Sequence, residues 1–209
     1  MKNYDKHGIK VPVSLPQAID IPALRANNQK LGTRNSSKLP NITDFRYTSS
    51  IMNDVIIVRP ATHADLEAIG DLWVELISFH AAVDERFAIP PNGRKHYMRY
   101  TLDAIRDPSF HVLVAVVDDM VVGYVLGYVA NNLPFFPSLR YAFLSDISVS
   151  ATNRRRGVGQ KLVAAIKEWF AQRGLRTIQL NAAYHNPVSQ AFWSKQGCTD
   201  YISMLWLEL

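Results

Sequence analysis

Residues 149–162 read VSATNRRRGVGQKL. Three arginines, Arg154, Arg155 and Arg156, run into Gly157, Val158, Gly159 and Gln160. Upstream, YAFLSDISV (141–149) reads as a strand. Downstream, Leu162, Ile166, Trp169 and Phe170 recur at helical spacing as far as Arg173-Gly174, where glycine suits a helix C-terminus. The stretch therefore predicts a strand–turn–helix unit. Free amide groups and the positive end of a helix dipole collect at such a turn. Glycines let an anion approach the main chain, and arginines add charge-assisted bonds to phosphate oxygens. The same residues would equally make a turn with solvated arginines.

Two phosphate loops are excluded. The pattern G-x-x-x-x-G-K-[ST] is absent, and Leu162 stands where G-x-G-x-x-G needs its third glycine. Nucleic acid is a poor fit as well. The chain has 209 residues and a formal net charge of +5. Residues 1–54 hold eight Lys/Arg against four Asp/Glu, so most of the excess lies outside the remaining, nearly neutral part.

Working outward, residues 1–53 scatter Pro, Asn and Ser without a sustained period. They are expected to form an irregular or partly disordered extension, with a short helix around Ile21–Lys30 at most. The folded domain is expected over 54–209. Its first strand is Val55–Arg59, closed by Pro60. Thr62 and Asp65 stand at capping-box spacing before a helix reaching Phe79 or His80. AAVDERFAIPPNG (81–93) reads as a loop, and 94–106 as a second helix. FHVLVAVV (110–117), DDM (118–120) and VVGYVLGYV (121–129) predict a hairpin. TIQLNA (177–182) is a strand, Pro187–Gln196 a helix and DYISMLWLEL (200–209) a last strand. That order predicts an α/β (α+β) fold: a mixed, mostly antiparallel central sheet with helices on both faces.

The single cysteine, Cys198, rules out an intrachain disulfide. MKNYDKHGIK lacks the apolar core of a secretory signal, and the apolar runs are strand-sized. A cytoplasmic protein without a membrane span is expected. The six histidines show no metal-ligand spacing, so no metal is expected.

The wider pattern V-x-x-x-x-R-x-x-G-x-G-x-x-L, from Val149 to Leu162, resembles the acetyl-CoA signature of the GNAT superfamily of N-acetyltransferases. NPVSQAFWSKQGC (186–198) is similar to the family's second motif, N-x-x-A-x-x-F-Y-x-x-x-G-F. The resemblance implies acetyl transfer from acetyl-CoA to an amine acceptor. It implies that amides from Arg154 to Gln160 (Arg154, Arg155, Arg156, Gly157, Val158, Gly159, Gln160) hold the pyrophosphate. The edge at Ile147, Ser148 and Val149 would pair with the pantetheine arm, and Asn186 would hydrogen-bond it. Asp146, near the end of the fourth strand, would take the amine's proton through water. A substrate-binding or structural Asp146 is the competing reading.

The chain departs from the family pattern at several positions. Ser145 replaces a glutamate found in some relatives. Trp193 stands where many relatives place a tyrosine as general acid, which leaves Tyr184 as the substitute or as a packing residue. Asp84 and Glu85 are further acceptor-site candidates, with surface carboxylates as the alternative. Phe135 and Phe136 would wall an acceptor pocket or plug the space under their loop. Cys198 is expected as a small buried hydrophobe. A non-catalytic acyl-CoA-binding module and a protein acetyltransferase remain rivals. A C-terminal strand would offer an edge for homodimerisation.

Overall fold

A computed structural model describes residues 55–208. The N-terminal extension, the expected helix at 21–30 and Leu209 lie outside the described residues. The elements run β1 (Ile57–Pro60), α1 (Leu66–Val83), α2 (Gly93–Arg106), β2 (Phe110–Val117), β3 (Met120–Asn131), β4 (Arg140–Val149), α3 (Val158–Gln172), β5 (Ile178–Leu180) and α4 (Pro187–Lys195). The sheet order is β1-β2-β3-β4-β5. Neighbours are antiparallel except β4 and β5, which run parallel. The mixed, mostly antiparallel sheet expected from the sequence is therefore present.

Side chains leave alternate faces of a strand, and here the two faces meet different helices. From β2, Leu113, Ala115 and Val117 join the core beneath α3, with Leu162, Ile166 and Phe170. Val112 and Val114 join the core beneath α1 and α2, with Ile69, Leu76 and Tyr97. Burying one such Leu, Ile or Phe contributes about 1.5–3 kcal/mol. The hairpin turns on Asp118 and Asp119, both at positive φ (47° and 61°), as a two-residue turn matched to strand twist requires.

β4 breaks its own alternation. Ala142 and Leu144 face α3, but so do Ile147 and Val149. Gly127 pairs with Leu144 and Leu126 with Asp146, leaving Ser145 as an extra residue. This is a β-bulge, and it re-aims the residues that follow. β5 pairs with β4 only at Ala142, Phe143 and Leu144. Past Leu144 the β5 side of β4 has no strand beside it among the described residues.

Several boundaries differ from the sequence expectation. α1 runs on to Val83, and the following loop contains a short 3₁₀ turn at Glu85–Phe87. β5 is shorter than 177–182. The expected last strand is absent: residues 199–208 form no strand, and Ile202, Met204, Leu205, Trp206 and Leu207 are exposed. An apolar run becomes a strand only where an edge pairs with it, and that is invisible to local pattern. The expectation of a dimer through this strand loses its strand. Cys198 is exposed rather than buried, because α4 ends before it at Lys195. Among the described residues no helix is long and apolar enough to cross a membrane.

The start of α1 is pinned by one carboxylate. Asp65 accepts two bonds from Arg59 at 2.8 Å each, one from the Thr62 amide at 2.7 Å and one from its hydroxyl at 2.9 Å. The Arg59 guanidinium, aided by the Thr62 bonds, holds Asp65 down to about 2. A depressed carboxylate contributes stability above its unfolded pKa and loses it as pH falls through the folded one. Asp65→Ala should therefore cost about 2–3 kcal/mol at neutral pH. In denaturant melts the gap to wild type should close between pH 4 and pH 2.

Candidate active site

The turn between β4 and α3 is tightly organised. Arg155 sits at φ 61° and Gly157 at φ 85°, so the chain twice enters the left-handed region before α3 begins. Gly157 tolerates this at no steric cost, whereas a β-carbon would be strained there. No side chain caps α3, and no acidic residue occupies its first turn. The first intrahelical bond is Lys161 N–H to Gly157 O at 3.1 Å, so the amides of Val158, Gly159 and Gln160 precede it. A β-carbon on Gly159 would meet the Phe192 ring only at 3.5 Å, an ordinary contact. These features fit an anion at a helix N-terminus.

The three arginines are not alike. Arg154 turns inward: its Nε donates to Val149 O at 2.9 Å and its Nη2 to Glu75 Oε1 at 2.6 Å. Arg156 donates to Asn153 Oδ1 at 3.2 Å. Beyond the bulge, Ile147 and Val149 bury their side chains under α3, while Ser148 donates from Oγ to Leu72 O of α1 at 3.2 Å. What this part of β4 offers a ligand is main chain, on the side that β5 leaves open. Asn186 is buried and caps α4, accepting the Ser189 amide on Oδ1 at 2.9 Å.

Asp146 lies on the α1–α2 face and is 1% exposed. Ser145 Oγ donates to its Oδ2 at 2.8 Å, and Oδ1 has no hydrogen-bond partner among the described residues. Burial pushes its carboxyl up to about 7, against the lowering pull of the Ser145 and Tyr97 hydroxyls. Tyr97 and Tyr124 are buried beside it, their hydroxyls 3.0 Å apart. Burial and the nearby Asp146 charge raise both phenols well above their ordinary range.

Other candidates fall away from this centre. Trp193 is core, packed beneath α3 with its ring N–H unpartnered among the described residues, so the usual general-acid position holds no acid. Tyr184 is 84% exposed, in the loop before α4. Asp84 is held down to about 2 by Arg86, whose amide and guanidinium both bond it, which leaves it no use as a base. Glu85 is exposed. Phe135 and Phe136 are exposed and pack on each other at 5.1 Å, so they plug nothing. No group of three or more potential metal ligands occurs among the described residues.

Against known proteins, the model of the acetyltransferase (GNAT) family matches residues 79–198. The chain belongs to that family. It is 30% identical over 89 residues to L-2,4-diaminobutyric acid acetyltransferase of Nocardia farcinica, a match spanning 43% of this chain and 44% of that enzyme. A mutant of the BH1408 protein of Bacillus halodurans shares the fold with a TM-score of 0.67 at 22% identity, over 73% of this chain and 99% of that one. The aminoglycoside N-acetyltransferase AAC(6')-Iy, solved with CoA, gives a TM-score of 0.61 at 18% identity, over 75% and 95%.

Sequence reasoning missed the bulge, Glu75 and the tyrosines. The bulge did leave a trace: apolar residues change parity between Leu144 and Ile147. Glu75 left none, because a helical glutamate reads as a solvated face.

A raised carboxyl makes folding less favourable as it ionises, so stability should fall as pH rises from about 4 through about 7. Asp146→Asn should remove that fall. Its thermal melts at pH 8–9 should show a folded state more stable than wild type by on the order of a few kcal/mol. The two proteins should converge near pH 4.

Proposed function

We propose that this chain transfers acetyl from acetyl-CoA to a primary amine of a small molecule. The observation that carries it is the joining of two features by β4. An uncapped helix entrance suited to phosphate lies at its end, and a buried carboxyl with one unpartnered oxygen lies in its middle. An ammonium first gives one proton to Asp146; the neutral nitrogen then forms a bond to the thioester carbonyl carbon, the carbon–sulfur bond breaks, and the nitrogen's second proton goes to the departing sulfur or to solvent. CoA departs as thiolate or thiol.

Alkyl amines are mostly protonated at neutral pH, with a pKa of about 10.4, so a base helps. Asp146 is that base. Its burial denies it bulk solvent, and the proton reaches it through water. A carboxyl poised near 7 is matched to proton transfer at neutral pH. The amides from Arg154 to Gln160 hold the pyrophosphate, and the main chain of Ile147, Ser148 and Val149 pairs with the pantetheine arm. Asn186 acts on that arm through the α4 entrance it caps. Tyr184 lies too exposed in this structure to be a defined acid, and no general acid is needed for a thiolate leaving group. The small-molecule acceptor rests on the relatives, whose names specify L-2,4-diaminobutyric acid and aminoglycosides.

Thiol release from acetyl-CoA against a panel of diamino acids, amino sugars, polyamines and lysine peptides tests this. Release with one of the small amines is expected. Release only with peptides would move the acceptor to protein, and CoA binding without release would make the chain a sensor. With the acceptor found, kcat/KM should rise with pH to a plateau with an inflection near 7. Asp146→Asn should lose that inflection and about 10²–10⁴-fold in rate.

A further inference from the structure

The anion-binding turn has a carboxylate in its wall, and an acid beside a pyrophosphate needs a reason. Glu75, on α1, is that acid. Its Oε1 accepts from Arg154 Nη2 at 2.6 Å and from the Ala151 amide at 3.0 Å. Arg154 in turn donates from Nε to Val149 O at 2.9 Å, and its side chain is only 15% exposed. One oxygen therefore ties the helix to both arms of the turn, and the arginine closes the loop back onto the end of β4. A second tie lies one helical turn earlier, where Ser148 donates to Leu72 O.

We propose that Glu75 is a positioning residue of the cofactor site, which makes Arg154 an internal strut of the turn rather than a ligand of phosphate. Charge supports this. At 2.6 Å the pair is neutral as a unit, so Arg154 adds little net field where phosphate binds. Geometry supports it too. The guanidinium is engaged at two of its three nitrogens on the side facing α1 and β4. Turning it outward would strand the Val149 carbonyl, the Glu75 carboxylate and the turn's shape together. The phosphate contacts that remain are the main-chain amides, whose positions the strut fixes. The inference rests on the turn being the CoA site.

The test is calorimetric titration of CoA into the full chain, as wild type, E75Q, E75A, R154A and the E75A/R154A double variant, at low and high salt. Thermal melts verify folding, and E75Q, which keeps an acceptor for the Ala151 amide, covers a poorly folding E75A. The expected result is about a tenfold loss in affinity for E75A and for R154A, with the double variant no weaker than either, because both cut one unit. The salt dependence of binding should be unchanged in the double variant, which removes a neutral pair. In turnover assays the KM for acetyl-CoA should rise while kcat at saturation stays within about twofold. Multiplicative losses in the double variant, a shallower salt dependence for the double variant than for wild type, or tighter CoA binding by E75Q would each overturn the assignment. Tighter binding would mean that Glu75 restrains a phosphate ligand. No CoA binding by wild type would instead overturn the cofactor reading, and this assignment with it.

Discussion

β4 has to serve two neighbours, and it serves only one along its whole length. It pairs with β3 from Arg140 to Val149 but with β5 at three residues. Backbone donors and acceptors need partners, and past Leu144 the open side of β4 has no strand to supply them among the described residues. The α3 entrance stands at the end of the strand, and the bulge at Ser145 decides which side chains point to which helix layer. Without the extra residue, Asp146 would exchange faces with its neighbours and leave the tyrosines of the α1–α2 side.

The same strand explains the electrostatics. A carboxyl on a central strand between two helical layers loses its water and has few partners to regain. Ser145 serves one oxygen and nothing described serves the other. Such a group is expensive to ionise, which is a liability for stability and an asset for accepting a proton near neutrality. Asp65 shows the opposite case in the same chain. It is also buried, yet its two-toothed arginine and two Thr62 bonds keep it ionised far below neutrality. Partners, more than depth, separate a carboxyl that stays ionised from one held protonated towards neutrality.

Much of this was legible in the sequence because it is local. The hairpin, the three longer helices and the turn at 154–159 are written as periodicity, capping residues and glycines at fixed offsets. What escaped is what the chain decides at a distance. The last apolar run carries strand-like residues but pairs with no edge of the sheet among the described residues. Cys198 follows a helix whose end leaves it in solvent. Arg154 looks like a phosphate contact in a list of three arginines, and only the fold reveals that Glu75, 79 positions earlier, has claimed it.

The family match sharpens this division. It begins at residue 79, so Leu72 and Glu75 lie outside it, although both bond to the end of β4 or the turn after it. Between them sits Trp73, stacked on Tyr97 of α2 at 4.7 Å and nearly parallel. Tyr97 in turn flanks Asp146. One stretch of α1 therefore touches both the turn before α3 and, through α2, the surroundings of the buried Asp146. Tyr100, one helical turn after Tyr97, is the most exposed of the α2 rings over this site. Most of α1 lies outside the matched segment, while α2 and the turn before α3 lie wholly inside it. Relatives can share that turn and still differ in the amine they take.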